Sequence, residues 1–318
     1  MDEMNQIAVI GLGGVGGFIG GLLAEKYPQT QLVVRGARGE KIRQDGFYLH
    51  SETNGEIYVQ PQHVVPSADQ LEDRTVIFIC VKNYGLQDVC ERLKTVLKPE
   101  TILIPVMNGV FAAEHLKRCF PSNVVLSSVI YTVSALNADG SVTQRYADTH
   151  VDLGSAESDR RHADALQTVY GLMRGANIDV RLPEDIEAAV WYKYILNCAY
   201  NVETAAYDEV IGQLREDPVK KAEYGVLIHE AFTVAHAKGI AVDDRREAVY
   251  RMQFETFDYD ATSSLHRDVR AGKQSEYDVF SAYLIREAHR LGVSVPITEK
   301  MDGMLRERLA RTNTADTK

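Results

Sequence analysis

Cysteine is scarce in this chain, and the four residues present follow no metal-ligand or redox-motif spacing. So few thiols in 318 residues exclude a disulfide-stapled fold and predict free, buried thiols in a reducing compartment. The spacing of cysteine and histidine predicts no metal site. The cysteines are Cys80, Cys90, Cys119 and Cys198.

Positive charge and long apolar runs are lacking as well. Lysine and arginine number 35 against 45 acidic residues, which gives a formal net charge of -10. Because an acidic surface without a basic patch repels polyanions, the composition excludes binding to nucleic acid or to an anionic membrane surface. No apolar run approaches the roughly 18 residues that a transmembrane helix needs. We therefore expect a cytoplasmic protein whose partner is a small molecule.

Near its start the chain has a glycine-rich turn between a predicted strand, residues 6–10, and an apolar helix. This context is the one that a G-x-G-x-x-G dinucleotide fingerprint requires. The first glycine permits a tight turn, the second lets the backbone approach a pyrophosphate, and the third lets the helix pack on the strand. The alternative is a glycine turn that binds no ligand. The candidate cofactor-binding residues are Gly11, Leu12, Gly13, Gly14, Val15 and Gly16.

A second predicted strand, residues 31–34, is followed by Arg35 and Arg38. An NAD site usually places Asp or Glu at this point, whereas arginine accommodates the 2′-phosphate of NADP. The pair therefore predicts NADPH or NADP as the cofactor. The alternative is two solvated arginines at the end of a strand.

Two more polar side chains follow buried strands. Lys82 comes after the apolar run 75–81, and Asn108 comes after the run 101–106. Ligands of doubly wound sheets bind beyond the carboxyl ends of the strands, so both residues are candidates for cofactor binding. Lys82 is equally consistent with an ordinary surface lysine, and Asn108 with a simple Asn-Gly turn.

The length and the pattern of predicted elements favour two domains. Residues 1–183 are predicted to form an NADP-binding domain with a Rossmann-type doubly wound sheet, and the segment 124–154 within it reads as two antiparallel strands. Beyond Pro183, which we expect in the first turn of the next helix, strand signals vanish. Residues 184–318 are predicted to form an all-helical domain that serves as lid and substrate platform.

The first helix after this junction carries three polar residues in an otherwise apolar stretch, residues 191–201. Lys193, Asn197 and Asn201 recur every four residues and therefore lie on one face, which indicates the lining of a cavity. In the reduction of a ketone, negative charge develops on the carbonyl oxygen, and a protonated lysine can neutralise it. Lys193 is the candidate general acid, with Asn197 and Asn201 as candidate substrate ligands.

Two residues further along are candidates on weaker grounds. Ser264 stands where a helix begins, so its hydroxyl and the free backbone amides there suit a substrate carboxylate. Simple helix capping is the alternative. Glu276 lies near Arg270 and Lys273 in the chain and is a candidate site residue. The alternative to a role in a site is a surface ion pair that contributes little to stability.

Taken together, these motifs resemble the ketopantoate reductases (2-dehydropantoate 2-reductases) over nearly the whole chain. The resemblance implies a Rossmann-type domain followed by an all-helical domain like the C-terminal domain of 6-phosphogluconate dehydrogenase. It also implies NADPH-dependent reduction of 2-dehydropantoate to pantoate, toward pantothenate and coenzyme A. Lys193 resembles the family's general acid, and Glu276 an acidic residue near it. The other matching positions are substrate ligands (Asn197, Asn201, Ser264) and cofactor ligands (Arg35, Lys82, Asn108).

Two departures from the family pattern leave the identity of the substrate open. Ala261 stands where relatives usually carry asparagine, and Ile211 opens a turn that usually begins with asparagine. A paralogous reductase of another 2-oxo acid therefore stays as an alternative, and a non-catalytic NADP-binding sensor is a third. A homodimer is compatible with the sequence, which does not itself give the oligomeric state.

Overall fold

The computed structural model describes residues 6–315 and their side chains as far as residue 311. The contacts divide the chain into two compact units, Met1–Ala189 and Val190–Lys318. In the described range no helix is long and apolar enough to cross a membrane.

From residue 6 onward, the first unit contains two β-sheets and five complete α-helices. Its strands are β1 (Ile7–Ile10), β2 (Gln31–Val33), β3 (Phe47–Ser51), β4 (Gly55–Val59), β5 (His63–Val65), β6 (Val76–Ile79), β7 (Ile102–Pro105), β8 (Ser127–Leu136), β9 (Val142–Gly154) and β10 (Val180–Arg181). Its helices are α1 (Gly14–Lys26), α2 (Gly36–Asp45), α3 (Leu86–Leu93), α4 (Ala112–Cys119) and α5 (Arg160–Gly175).

The first sheet is parallel throughout and has the order β5-β2-β1-β6-β7. Ile7 and Val9 of the central strand join one hydrophobic cluster, and Ala8 and Ile10 join another on the opposite face. Both faces are thus covered, as expected for a parallel sheet. Because the chain leaves β1 in opposite directions toward β2 and β6, the carboxyl ends of these strands open a crevice suited to a ligand. The predicted Rossmann-type sheet is confirmed.

The second sheet has the order β10-β9-β3-β4, with β8 pairing antiparallel to β9. The predicted antiparallel pair in residues 124–154 is confirmed by β8 and β9. A parallel pairing between β3 and β9 joins this pair to the β3-β4 hairpin. Helix α1 packs against this sheet through its glycines, since a Cβ atom on Gly17 would lie 2.5 Å from Val142 Cγ2.

The second unit is helical in its described part. Helix α6 (Ile186–Tyr207) runs across the division between the units, and the later helices are α7 (Ile211–Glu216), α8 (Pro218–Ala237), α9 (Arg245–Thr256), α10 (Ser264–Arg270), α11 (Ser281–Leu291) and α12 (Pro296–Ala315). The buried Glu230 carboxylate accepts hydrogen bonds from the backbone N–H groups of Ile297 and Thr298, at 2.9 and 2.8 Å, and so caps α12.

Two local expectations are wrong. Helix α6 does not take Pro183 into its first turn, because Asp185 caps the helix by accepting a hydrogen bond from the Ala188 N–H at 3.0 Å. All four cysteines are free, as expected, but Cys119 is only half-buried.

Helix α6 also buries a carboxyl group that sequence analysis missed. Glu203 is 0% exposed, and within the described structure neither carboxyl oxygen has a hydrogen-bond partner. Burial, reinforced by the nearby Glu223 carboxylate, raises the pKa of Glu203 to about 9. Glu209 adds to the rise, and Lys220 and Lys300 oppose it. Glu203 is therefore neutral at pH 7.

Glu203→Gln is expected to stabilise the protein increasingly as the pH rises. The raised pKa means that the folded state holds this proton more tightly than the unfolded state does. The contribution of protonated Glu203 to the free energy of unfolding is therefore present below the pKa of the unfolded state and is lost as the pH rises toward about 9. The free energy of unfolding falls over this range by at most about 1.4 kcal/mol per pH unit. Urea unfolding at pH 5.5 and 8.5 measures the difference in free energy between variant and parent. That difference should grow with pH in Glu203→Gln but not in Glu307→Gln, an exposed control on α12. Equal differences at both pH values would contradict the assignment.

Candidate functional site

The glycine turn between β1 and α1 has the conformation that a nucleotide-binding loop needs. Gly11 has a φ of +89°, in the left-handed region that favours glycine. A Cβ atom on Gly16 would lie 1.8 Å from the Gly11 carbonyl oxygen, so only glycine fits there. At Gly13, by contrast, a Cβ would meet no atom within 4 Å, and no side chain caps α1. Gly13 therefore faces open space beside the uncapped start of α1, an arrangement suited to an anion.

A cavity of about 230 Å³ lies beside this turn, at the carboxyl ends of β1 and β2. Its wall includes the turn residues Gly11, Leu12 and Gly13, the predicted Arg35, and side chains from α2 and α3. The structure thus brings together two groups of predicted cofactor residues that are some twenty positions apart in the chain. The polar side chains of the wall are Arg35, Arg38, Ser67, Asp88 and Arg92.

The three arginines of this cavity differ in how their charges are satisfied. Asp88 accepts two hydrogen bonds from Arg92 Nε, both at 3.0 Å, and lies 3.6 Å from the exposed Arg35. Arg38 donates through Nη1 to the Leu12 carbonyl oxygen, and its Nε and Nη2 atoms are buried without a hydrogen-bond partner in the described structure. Burial lowers the pKa of Arg38 without removing its charge. Arg38 is therefore the guanidinium best prepared to receive an anion.

Lys82 and Asn108 lie outside the wall of this cavity, at the ends of β6 and β7. Lys82 is exposed and precedes a 3-10 turn, while Asn108 is half-buried. The Asn83 side-chain N–H donates to the Asn108 carbonyl oxygen at 2.9 Å and so joins the two loops. Both candidates occupy the edge of the sheet at which doubly wound folds bind ligands.

On α6, Lys193, Asn197 and Asn201 lie one turn apart on one face, because the helix is continuous from residue 186 to residue 207. Tyr194 and Ile195 beside the lysine are buried. Burial lowers the pKa of Lys193 to about 8. The lysine is therefore mostly protonated at pH 7 yet ready to give up a proton near neutral pH, which suits a general acid.

Asn201 connects this face to the amino end of α10. It is 5% exposed, and its Oδ1 atom accepts hydrogen bonds from Ser264 Oγ at 3.3 Å and from the Leu265 N–H at 3.4 Å. Its Nδ2 atom donates to Asn197 Oδ1 at 3.1 Å. The three predicted substrate residues therefore form one hydrogen-bonded group. Ser263 caps α10, because its Oγ atom accepts a hydrogen bond from the His266 N–H at 3.0 Å. The capping alternative therefore does not apply to Ser264.

Behind this group lies a second chain of polar contacts that sequence reasoning missed. The buried His266 ring contacts Thr262 Oγ1 at 2.6 Å and Asp208 Oδ1 at 2.8 Å. Asp208, which has a φ of 60°, also pairs with Arg308 at 2.9 Å. The end of α6, the start of α10 and helix α12 are thereby held together. The only sequence signal was histidine three residues after the capping Ser263.

Glu276 is 6% exposed and directly precedes a 3-10 turn, Tyr277–Val279. Its burial rules out the alternative of a solvated surface ion pair. A buried carboxylate in a helical unit needs polar partners, which is consistent with a role in a site.

The two departures from the family pattern are neighbours in space. The Ile211 N–H donates to the Ala261 carbonyl oxygen at 3.0 Å, and the Gly212 N–H donates to the Tyr259 carbonyl oxygen at 2.8 Å. Ile211 is fully buried. Ile211 and Ala261 therefore place two apolar side chains in a single region, and Ala261 lies two residues before Ser263 in the chain.

The fold and the two groups of residues define a class, a Rossmann-type nucleotide-binding protein whose helical second unit carries a half-buried lysine with a lowered pKa. The family model "Ketopantoate reductase PanE/ApbA" matches residues 7–158, and the model of its C-terminal domain matches residues 185–308. The chain belongs to this ketopantoate reductase family and is an oxidoreductase of it.

Individual relatives cover most of the chain. It is 29% identical over 294 residues to "Uncharacterized oxidoreductase YkpB" of Bacillus subtilis, covering 92% of this chain and 95% of the relative. It is 26% identical over 263 residues to a 2-dehydropantoate 2-reductase of Shigella flexneri, covering 81% of each. The crystal structure of a PanE/ApbA family ketopantoate reductase from Ralstonia eutropha has a TM-score of 0.87 at 23% identity, covering 96% of this chain and 99% of that one. The predicted family and fold class are confirmed.

Proposed function

We propose that this protein is an NADPH-dependent reductase that converts 2-dehydropantoate to pantoate, a step toward pantothenate and coenzyme A. One observation carries the proposal. Lys193, with its pKa lowered to about 8, shares a helix face with Asn197 and Asn201, and Asn201 holds Ser264. A proton donor and several hydrogen-bonding groups are the minimum that reduction of a 2-oxo acid requires.

In the proposed reaction carbon 2 of the oxo acid would receive the hydride that a nicotinamide cofactor supplies when bound. Negative charge then develops on the carbonyl oxygen, and the Lys193 ammonium donates the proton that completes the hydroxyl group. Ser264 Oγ and the amino end of α10 bind the substrate carboxylate, and Asn197 binds a second oxygen. The side chain of Asn201 holds Asn197, Ser264 and the amino end of α10 in fixed relative positions through its three hydrogen bonds. Glu276 lies in the same helical unit and is proposed to assist Lys193.

The residues of the first unit fit a dinucleotide. The open face of Gly13 and the uncapped start of α1 suit a pyrophosphate. The unpaired Nε and Nη2 atoms of Arg38 suit a further phosphate, as on the ribose of NADP. Arg35, Lys82 and Asn108 are proposed as additional cofactor ligands at the same edge of the sheet.

A second candidate function is reduction of a different branched or β-substituted 2-oxo acid. The observation that favours it is that a backbone hydrogen bond joins Ile211 to Ala261, so that two apolar side chains stand together where the resemblance to the family implies asparagines. The hydroxyl group of ketopantoate would lose hydrogen-bond partners in such a region, whereas an apolar substituent would gain contacts.

A matched pair of substrates tests the two candidates. We expect kcat/KM with NADPH to be at least about 10-fold higher for ketopantoate than for 3,3-dimethyl-2-oxobutanoate, which lacks only the hydroxyl group. Initial rates of NADPH consumption, extended to phenylpyruvate and 2-oxoisovalerate, measure this preference.

The reverse preference would assign the protein to the second candidate, and Ala261→Asn should then raise the ratio toward ketopantoate. Tight NADPH binding with no turnover of any oxo acid would contradict both candidates and favour a non-catalytic sensor.

A further inference from the structure

Helices α3 and α4 bring two thiols and an imidazole together in the first unit. Cys90 on α3 is fully buried, and His115 and Cys119 lie one turn apart on α4 and are half-buried. Their three possible ligand atoms all lie within 4.8 Å of one another. Cys90 and Cys119 are far apart in the chain, which is why no metal-ligand spacing is visible in the sequence.

We propose that Cys90, His115 and Cys119 form a binding site for a zinc ion, with water as the fourth ligand. Two sulfur atoms and one imidazole nitrogen are the ligands that zinc prefers in proteins. The partial exposure of His115 and Cys119 leaves one side open for the water molecule.

The spacing of the ligand atoms suits a tetrahedral ion. Zn–S bonds of about 2.3 Å and Zn–N bonds of about 2.0–2.1 Å at a tetrahedral angle place sulfur and nitrogen roughly 3.5 Å apart. Cys119 Sγ and His115 Nε2 are 3.6 Å apart. The two ligands on α4 are therefore spaced to bind one ion without movement of the helix, and Cys90 Sγ lies within 4.8 Å of both of their ligand atoms.

Burial raises the pKa of the Cys90 thiol to about 12, so this thiol must lose its proton when an ion binds. Burial also lowers the pKa of His115, so that the imidazole is neutral and free to bind. Binding of Zn²⁺ then forms two Zn–S bonds and one Zn–N bond and releases the two thiol protons to water, with no change of oxidation state. The ion would link α3 to α4. Helix α3 also carries Asp88 and Arg92, which line the cavity beside the glycine turn.

Cobalt binding to the reduced, chelator-treated full-length protein tests the proposal. We expect one equivalent of Co²⁺ to produce thiolate-to-metal charge-transfer absorption and the strong visible bands of a tetrahedral ion, and Zn²⁺ to abolish both. Cys119→Ser should weaken binding by at least about 100-fold, because loss of a direct ligand costs more than the roughly 10–100-fold that loss of an outer-shell partner costs. His115→Gln should change the visible bands while the thiolate absorption remains. Cys198→Ser, a buried thiol of the second unit, is the matched control and should bind as the parent does.

Because Cys119 is half-buried, its serine variant is expected to fold, and circular dichroism checks this. Only the weak absorption of octahedral aqueous Co²⁺, or equal affinity in the parent and Cys119→Ser, would overturn the proposal. A Cys90–Cys119 disulfide in protein purified without reductant, with no Co²⁺ bound after reduction, would also overturn it and would assign the pair to thiol oxidation.

Discussion

Lys193→Met is expected to lower the rate of hydride transfer by about 10²–10⁴-fold, the usual contribution of a positioned general acid. Methionine keeps the volume and the apolar stem of lysine but cannot donate a proton, so packing around Tyr194 and Ile195 should change little. Single-turnover consumption of NADPH at saturating ketopantoate measures the chemical step directly, and circular dichroism confirms folding.

The pH dependence of the parent provides an independent check of the same role. Burial disfavours the ammonium form and lowers the pKa of Lys193 to about 8. Because the proposed mechanism needs the protonated lysine, the rate should be highest below this pKa and fall as the pH rises through about 8. The residual rate of Lys193→Met should lack this step.

Lys221→Met is the matched control, since Lys221 is exposed and contacts only Glu255 among the ion pairs of the described residues. Its rate should equal that of the parent. An unchanged single-turnover rate in Lys193→Met would show that another group supplies the proton, and the proposed mechanism would then be wrong.

The features that sequence analysis predicted correctly depend on local patterns. The stretch from Gly11 to Gly16 predicts a strand, a turn and a helix within a few residues. Two of its glycines have local steric reasons, since Gly11 has a positive φ and a Cβ atom on Gly16 would collide with the Gly11 carbonyl oxygen. The i, i+4, i+8 spacing of Lys193, Asn197 and Asn201 places them on one face wherever the helix lies. Such patterns determine the local backbone geometry by themselves, so they can be interpreted without knowledge of any tertiary contact.

The features that it missed depend on contacts between distant segments. The parallel pairing of β3 with β9 joins residues some ninety positions apart, and alternating patterns cannot indicate which strands pair. Cys90 and Cys119 approach each other only because α3 and α4 follow neighbouring strands of the first sheet.

The structure also separates two arginines that the sequence could only treat as a pair. Arg35 is exposed and lies beside Asp88, which compensates part of its charge. Arg38 is held against the Leu12 carbonyl oxygen and presents two buried nitrogen atoms without partners in the described structure. A desolvated, pre-oriented guanidinium binds phosphate more strongly than a solvated one, because less water must be displaced and less side-chain entropy is lost. Arg38 should therefore contribute more than Arg35 to selection of NADPH.

Arg38→Ala is accordingly expected to lower kcat/KM with NADPH by about 10–100-fold, since hydrogen bonds to a charged group each contribute about 1.5–3 kcal/mol. The value with NADH should change by less than about 3-fold, because NADH has no 2′-phosphate to lose a partner. Arg35→Ala should have the smaller effect on NADPH. Steady-state kinetics with both cofactors at saturating oxo acid measure the ratio.

The contact of Arg38 with the glycine turn makes a purely structural role the main rival. That role predicts equal losses with NADPH and NADH, because a distorted turn would weaken the pyrophosphate site that both cofactors share. Arg38→Lys separates the two roles: it keeps a charge for the phosphate but loses the planar guanidinium, so NADPH preference should be partly restored. Arg160→Ala, an almost fully exposed arginine on α5, is the control for the loss of one positive charge and should leave the ratio unchanged. Equal losses with both cofactors in Arg38→Ala would remove the phosphate-binding role, whatever the effect of Arg35→Ala.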